Sequence, residues 1–206
     1  MKISLENVGK KFNRQWLFKN ISYEIGEKKS CVLTGNNGSG KSTLLQMIFG
    51  FQTISIGKII ISKESKIIPA EEIFQNISFT APYLELPEEL TPAELLRFHF
   101  IFKAKDPFFT LEEIVSKCKL ENSLHKQIKF FSSGMKQRLK LALVFFSTAP
   151  VLLLDEPCSN LDAQGIQWYL DMIGEVAGKR TIVIASNQEF EYDFCEDGIR
   201  IEEFRV

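Results

Sequence analysis

Residues 35–43 read Gly-Asn-Asn-Gly-Ser-Gly-Lys-Ser-Thr. The chemistry this stretch suits is the holding of a triphosphate. A phosphate chain needs many donors converging on a small volume, and backbone N–H groups supply them only where no side chain blocks the approach. Gly35, Gly38 and Gly40 fall where the backbone must turn tightly and come close, with Asn36, Asn37 and Ser39 filling the loop between them. Lys41 adds a fixed positive charge for the β- and γ-phosphates, Ser42 offers a hydroxyl to Mg²⁺, and Thr43 completes the run. The spacing from Gly35 to Ser42 fits the P-loop pattern G-x-x-x-x-G-K-[ST]. An ordinary glycine-rich turn is the competing reading, and the flanks argue against it. Ser30–Thr34 is a short apolar run suited to a buried strand, and Ser42–Phe49 suits a helix stopped by Gly50. Strand, glycine loop and helix start is the order that presents a helix N-terminus to an anion.

A second acidic site lies downstream. Val151-Leu152-Leu153-Leu154 forms a buried strand, and Asp155 and Glu156 follow at its end, where open α/β sheets bind ligands. Asp155 is placed to hold Mg²⁺ opposite Ser42. Glu156 is placed to polarise a water for in-line attack on a γ-phosphate. A strand running into an acidic turn is common on its own; the upstream loop gives the pair its meaning.

The elements that must position these groups can be read along the chain. Residues 1–25 alternate apolar and polar in short pieces and predict an antiparallel sheet. Ile59-Ile60-Ile61 and Ile77–Thr80 are further strands. Residues 83–130 change character and read as a helical insert: Thr91 caps a helix with Pro92 at its first position, and Thr110 with Glu113 makes a capping box over 110–118. Helices over 134–148 and 162–176 then alternate with strands over 151–155 and 181–185. The expected fold is α/β, a P-loop nucleoside triphosphatase with a mostly parallel core sheet, an N-terminal antiparallel β sub-domain and an inserted helical sub-domain. The division expected is a single domain over 1–206, with 1–82 and 131–206 as nucleotide-binding core and 83–130 as helical sub-domain.

Bulk properties narrow the class. The 206 residues are 45% hydrophobic, enough for a full core, and the eighteen phenylalanines predict that most are buried. A formal net charge of −1 gives no basic field for nucleic acid. No apolar run approaches the roughly 20 residues of a membrane span, and Met-Lys-Ile-Ser-Leu-Glu-Asn lacks a signal-peptide core, so a cytoplasmic protein is expected. Cys31, Cys118, Cys158 and Cys195 are scattered, and neither His99 nor His125 has a partner at metal-site spacing. These read as reduced, mostly buried cysteines.

Phe131-Ser132-Ser133-Gly134-Met135-Lys136-Gln137-Arg138 precedes the acidic strand by one helix, and Ser159-Asn160-Leu161-Asp162 follows the acids. This resembles the ATP-binding cassette (ABC) ATPases, whose signature is written L-S-G-G-Q and whose D-loop follows the acidic strand. The resemblance spans essentially the whole chain, in the right order. It implies that ATP and Mg²⁺ bind, and that Ser132, Ser133, Gly134 and Met135 meet the γ-phosphate held by a second copy packed head to tail. Ser159, Leu161 and Asp162 would lie in the D-loop. A helix start with a free hydroxyl and N–H groups suits an anion in any case. Between Asn122 and Leu154 there is no acid but Lys126, Lys129, Lys136, Arg138 and Lys140, a positive surface or a solvated basic face. The family stacks adenine on an aromatic ring near the N-terminus. Phe12 holds the matching position, with Trp16 as a lesser substitute and a core role for Phe12 as the competitor.

Three departures stand out. Ser133 and Met135 replace a Gly and the Gln of the signature. Alignment on Leu90-Thr91 puts Pro82 where the family has a Gln after the strand entering the insert, and Pro offers only its carbonyl. Gln75 is near in sequence but precedes that strand. Asn187 stands where the family has its switch His, and Asn donates a hydrogen bond without carrying charge. With Glu156 and Lys41 present, the expectation is ATP hydrolysis that is slow.

The function this implies is the nucleotide-binding subunit of an ABC transporter, most like small exporter-type, haem-exporter-like cassettes. Its partners would be a second ABC subunit, in a homodimer or pseudo-dimer, and a separate integral membrane permease. It would lie in the cytoplasm, peripheral on the inner face of the cell membrane, with no nucleic acid expected. An ATP-gated dimerisation switch with little hydrolysis, and a non-transport ABC ATPase, are the alternatives.

Overall fold

Two neighbouring strands show why the central sheet forms. Every residue of Val151–Asp155 and of Thr181–Ala185 is buried, and near-continuous aliphatic runs of this kind belong to parallel sheets covered on both faces. The computed structural model describes residues 1–205. It begins with a hairpin of β1 (Lys2–Phe12) and β2 (Gln15–Ile25), which turns at Asn13 in the left-handed region, φ 53°. β3 (Ser30–Thr34) runs into the glycine loop and α1 (Lys41–Phe49). β4 (Ile56–Lys63) and the short β5 (Lys66–Ile67) follow, then a single turn α2 (Ile73–Asn76) and β6 (Ile77–Thr80). The remaining elements are α3 (Pro92–Phe102), α4 (Leu111–Lys117), α5 (Ser133–Phe145), β7 (Val151–Asp155), α6 (Ala163–Val176), β8 (Thr181–Ala185) and β9 (Asp197–Arg200).

The strands form two sheets. β1 pairs antiparallel with β2 and β4 in a four-stranded sheet of order β2-β1-β4-β5, as the alternation of residues 1–25 predicts. The second sheet has order β6-β7-β8-β3-β9, and its β7–β8, β8–β3 and β3–β9 pairings are parallel. β3 therefore lies inside the sheet, with the glycine loop at its C-terminal end. Ile3, Phe18, Leu33, Leu44, Ile48, Leu153 and Val183 share one buried core beneath that loop.

The chain divides into two compact units. The first comprises Met1–Phe79, Pro150–Glu156 and the chain from Ala177 onward; the second comprises Thr80–Ala149 and Pro157–Val176. The second unit is thus larger than an insert over 83–130, because α5 and α6 pack on each other and α3 and α4 pack on α5. Its interior holds Phe145 against Trp168 and Tyr169, and the Trp168 indole donates to Lys117 O at 2.7 Å. Both capping boxes are present: Glu94 N–H donates to Thr91 Oγ1 at 3.3 Å and Glu113 N–H to Thr110 Oγ1 at 3.1 Å. Each Glu side chain returns to the backbone N–H of its Thr, and that donation holds both carboxyls below the usual range.

Two expectations change. α5 ends at Phe145 rather than 148, because Asp106 N–H takes Phe146 O at 2.9 Å and Thr148 N–H takes Ala104 O at 2.9 Å, drawing residues 146–148 into extended pairing. The phenylalanines are not mostly buried: Phe18, Phe131, Phe145 and Phe146 are, whereas Phe12, Phe51, Phe74, Phe98, Phe102, Phe108 and Phe130 are exposed. Several of the exposed rings lie on α3 and the connection after it, an outer face and not the core. No helix among the described residues is long and apolar enough to cross a membrane.

Candidate active site

The glycine loop takes backbone conformations that a side chain would resist. Gly35, Gly38 and Gly40 have φ of 138°, 77° and 110°. Gly40 is also sterically required: a Cβ there would come within 2.8 Å of Leu17 Cδ2 and Phe18 Cε1. Gly40 caps α1 with no side-chain acceptor, which leaves that helix start to the loop.

Lys41 is buried, and its ammonium donates to Gly35 O at 2.6 Å and reaches Asn36 O at 3.5 Å. Its charge is therefore held at the loop. Ser39 is fully buried and its Oγ has no hydrogen-bond partner among the described residues.

Ser42 Oγ donates to Asp155 Oδ1 at 3.0 Å, joining the first turn of α1 to the last residue of β7. A hydroxyl and a carboxylate brought together at the mouth of a phosphate loop are hard oxygen donors. They fit Mg²⁺, which keeps several waters and takes only a few protein ligands. Glu156 follows with its side chain exposed and its backbone at φ 40°, a left-handed conformation that costs a non-glycine residue about 1–2 kcal/mol. The bond from its N–H to Ala185 O, 2.9 Å long, holds it there.

One cleft of about 350 Å³ gathers Phe12, Asn37, Gly38, Gly40, Lys41, Ser42, Thr43 and Glu156, together with Leu17. Phe12 is 48% exposed, so it lies at the cleft edge and outside the core, with Lys10 Nζ 4.9 Å from its ring centre. Trp16 does not line the cleft; Lys19 and Lys11 stack over it instead. Asn187 reaches the loop directly: its Nδ2 donates to Asn37 Oδ1 at 3.3 Å. Leu17 and Glu202, whose carboxylate accepts from Asn36 N–H, carry no sequence signal for this role.

The residues expected to form the signature and the D-loop lie in the second unit. Ser132 caps α5, accepting from Met135 N–H at 3.2 Å, and Ser132 and Ser133 are exposed. Gly134 leaves little room, since a Cβ there would lie 3.1 Å from Asn160 O, beside Ser159 and Leu161. Asp162 caps α6 through Gly165 N–H at 2.8 Å and pairs with Arg138 at 3.1 Å. The N–H of Gly165 and the nearby guanidinium keep its carboxyl below the usual range.

The basic run beside the signature is largely paired. Lys136 meets Glu88, Arg138 meets Asp162, and Lys129 stacks over Phe130. Lys140 is buried and its ammonium donates to Ala81 O at 3.2 Å and Pro82 O at 3.0 Å, burial pushing its pKa down. The single acceptor that Pro82 offers is thus engaged from α5. Gln75 sits in α2, ahead of β6.

A glycine loop between a parallel strand and a helix, closed by an acidic strand end, defines a P-loop nucleotide-binding fold. A family model described as ABC transporter matches residues 18–159, and the chain belongs to that family, whose members bind and hydrolyse ATP. It is 32% identical to the cytochrome c biogenesis ATP-binding export protein CcmA of Agrobacterium fabrum, over 92% of this chain and 90% of that protein. The protein of the same name from Rhizobium etli is 30% identical, over 92% and 89%. Among solved structures, one titled "Structure of ATP binding subunit of ABC transporter" superposes with a TM-score of 0.84, covering 98% of this chain and 87% of that one at 21% identity, a likeness of fold.

Proposed function

We propose that this chain is the ATP-binding and slowly ATP-hydrolysing subunit of an exporter-type ABC transporter, working at the inner face of the cell membrane on a separate permease. The observation that carries the reading is the Ser42–Asp155 bond at the mouth of the glycine loop, with Glu156 lining the same cleft. The loop N–H groups and Lys41 hold the β- and γ-phosphates. Mg²⁺ bound at Ser42 and Asp155 would neutralise phosphate charge. Glu156 orients and deprotonates the attacking water, Asn187 donates toward the γ-phosphate, and Phe12 stacks on adenine.

Ser132, Ser133, Gly134 and Met135 complete the site of a second copy, and Ser159, Leu161 and Asp162 form the D-loop between them, so ATP closes a head-to-tail dimer. The exposed hydroxyls at the capped start of α5 support this reading. Slow turnover follows from Pro82 and Asn187, since losing one positioned donor costs about 10²–10³ in rate. The export direction rests on the names of the relatives. The engaged Pro82 carbonyl favours a second reading, an ATP-gated dimerisation switch with little turnover.

Purification in mild detergent tests the transport reading. A co-purifying multi-span protein is expected; a ribosome or DNA complex in its place contradicts it.

A further inference from the structure

The chain beyond β9 reaches back to the glycine loop. Parallel pairing of β9 beside β3 sets Thr34 opposite Arg200, so the turn Ile201–Phe204 emerges next to Gly35 and Asn36. Asn36 N–H donates to Glu202 Oε1 at 2.9 Å, while Glu202 Oε2 lies 3.5 Å from Arg200 Nε. Glu202 Cγ lies 3.4 Å from where a Gly35 Cβ would stand, so the side chain rests against the loop itself. The Asn36 N–H bond, first, and the charges of Arg200 and Arg205 hold the Glu202 carboxyl below the usual range, so it is ionised at neutral pH.

Asn36 N–H and Gly35 C=O belong to one peptide unit. Its N–H points at the Glu202 carboxylate and its C=O receives the Lys41 ammonium at 2.6 Å. A peptide is planar, with N–H and C=O directed oppositely, so fixing one end fixes the other. A negative group on the N–H side and a positive group on the C=O side both align with the peptide dipole and strengthen each other's bond. Asn36 O is held as well, by Ser39 N–H at 3.0 Å.

The geometry points to Glu202 as a positioning residue of the triphosphate site: it orients the Gly35–Asn36 peptide, and through that peptide it sets where the Lys41 ammonium stands before nucleotide arrives. This rests on the nucleotide reading above. Glu202 touches no phosphate; it spares the loop the ordering that binding would otherwise require.

The test is Mg²⁺–ATP titration of the full chain in four forms: wild type, Glu202→Ala, Glu202→Gln and Glu202→Asp, each with a thermal melt. Glu202→Gln keeps an acceptor at the same reach and stays within about threefold of wild-type Kd. Glu202→Asp keeps the charge but is one methylene short, and with Glu202→Ala it loses about tenfold, a loss in line with one missing hydrogen bond. All four melt within a few degrees of one another. Wild-type affinity in Glu202→Ala overturns the proposal. So does the reverse ranking, with Asp like wild type and Gln like Ala, since charge alone would then act. If Ala does not fold, the ranking of Gln against Asp decides the question by itself. A wild type that binds no ATP, while melting cooperatively, overturns the nucleotide reading and this inference with it.

Discussion

Asn187 Nδ2 donates to Asn37 Oδ1 at 3.3 Å, tying the segment after β8 to the middle of the glycine loop. The bond sets an uncharged amide against Asn37, a residue that lines the cleft. Asn187 also retains a second amide hydrogen for a phosphate oxygen.

If Asn187 donates toward the γ-phosphate as proposed, replacing it by Ala removes that donor and leaves the loop N–H groups in place. Asn187→Ala is expected to lower kcat at least tenfold and to leave Kd for ATP within about threefold. Steady-state phosphate release and equilibrium titration check the two halves separately. A large loss of affinity with kcat unchanged would assign Asn187 to loop structure instead.

Ser42 and Asp155 meet at 3.0 Å and present only oxygen donors. Chelating Mg²⁺ with EDTA is expected to weaken ATP binding at least tenfold in wild type. Asp155→Asn, nearly isosteric, is expected to show the weaker affinity with or without Mg²⁺. Titrations in Mg²⁺ and in EDTA decide it; an undiminished Mg²⁺ effect in the variant would place the ion elsewhere.

Lys140 holds two backbone carbonyls, Ala81 O and Pro82 O, from a buried position on α5. Lys140→Met fills similar volume but leaves both acceptors unmatched, a cost of about 1–3 kcal/mol. Denaturant unfolding should register that loss. Unchanged stability would mean that water replaces the ammonium without penalty.

What was legible in the sequence follows from where the constraint is local. Gly35, Gly38 and Gly40 could be read because they fall within one short motif whose positive φ values favour glycine, and Thr91 and Thr110 because a capping box spans four residues. The strand ending at Asp155 is legible from the unbroken aliphatic run 151–154. The two-residue β5 and the mostly exposed β9 have no periodicity long enough to see. Glu202 was invisible because its bond to Asn36 depends on β9 pairing with β3, which no local pattern encodes. The basic stretch near the signature position leaves a positive surface and a solvated face both open, because the acidic partners of Lys136 and Arg138, Glu88 and Asp162, lie outside it. The phenylalanine count misleads for a related reason: composition says nothing of which helix face a ring occupies, and Phe98 and Phe102 pack edge to face at the surface of α3.

The central claim is that this site binds ATP firmly and turns it over slowly through Glu156. Steady-state hydrolysis of wild type against Glu156→Gln, with Kd measured on both, tests it most directly. Low but measurable turnover is expected in wild type, with a further loss of about 10²-fold in the variant and Kd values within about threefold of each other. Equal turnover in the two proteins would contradict it.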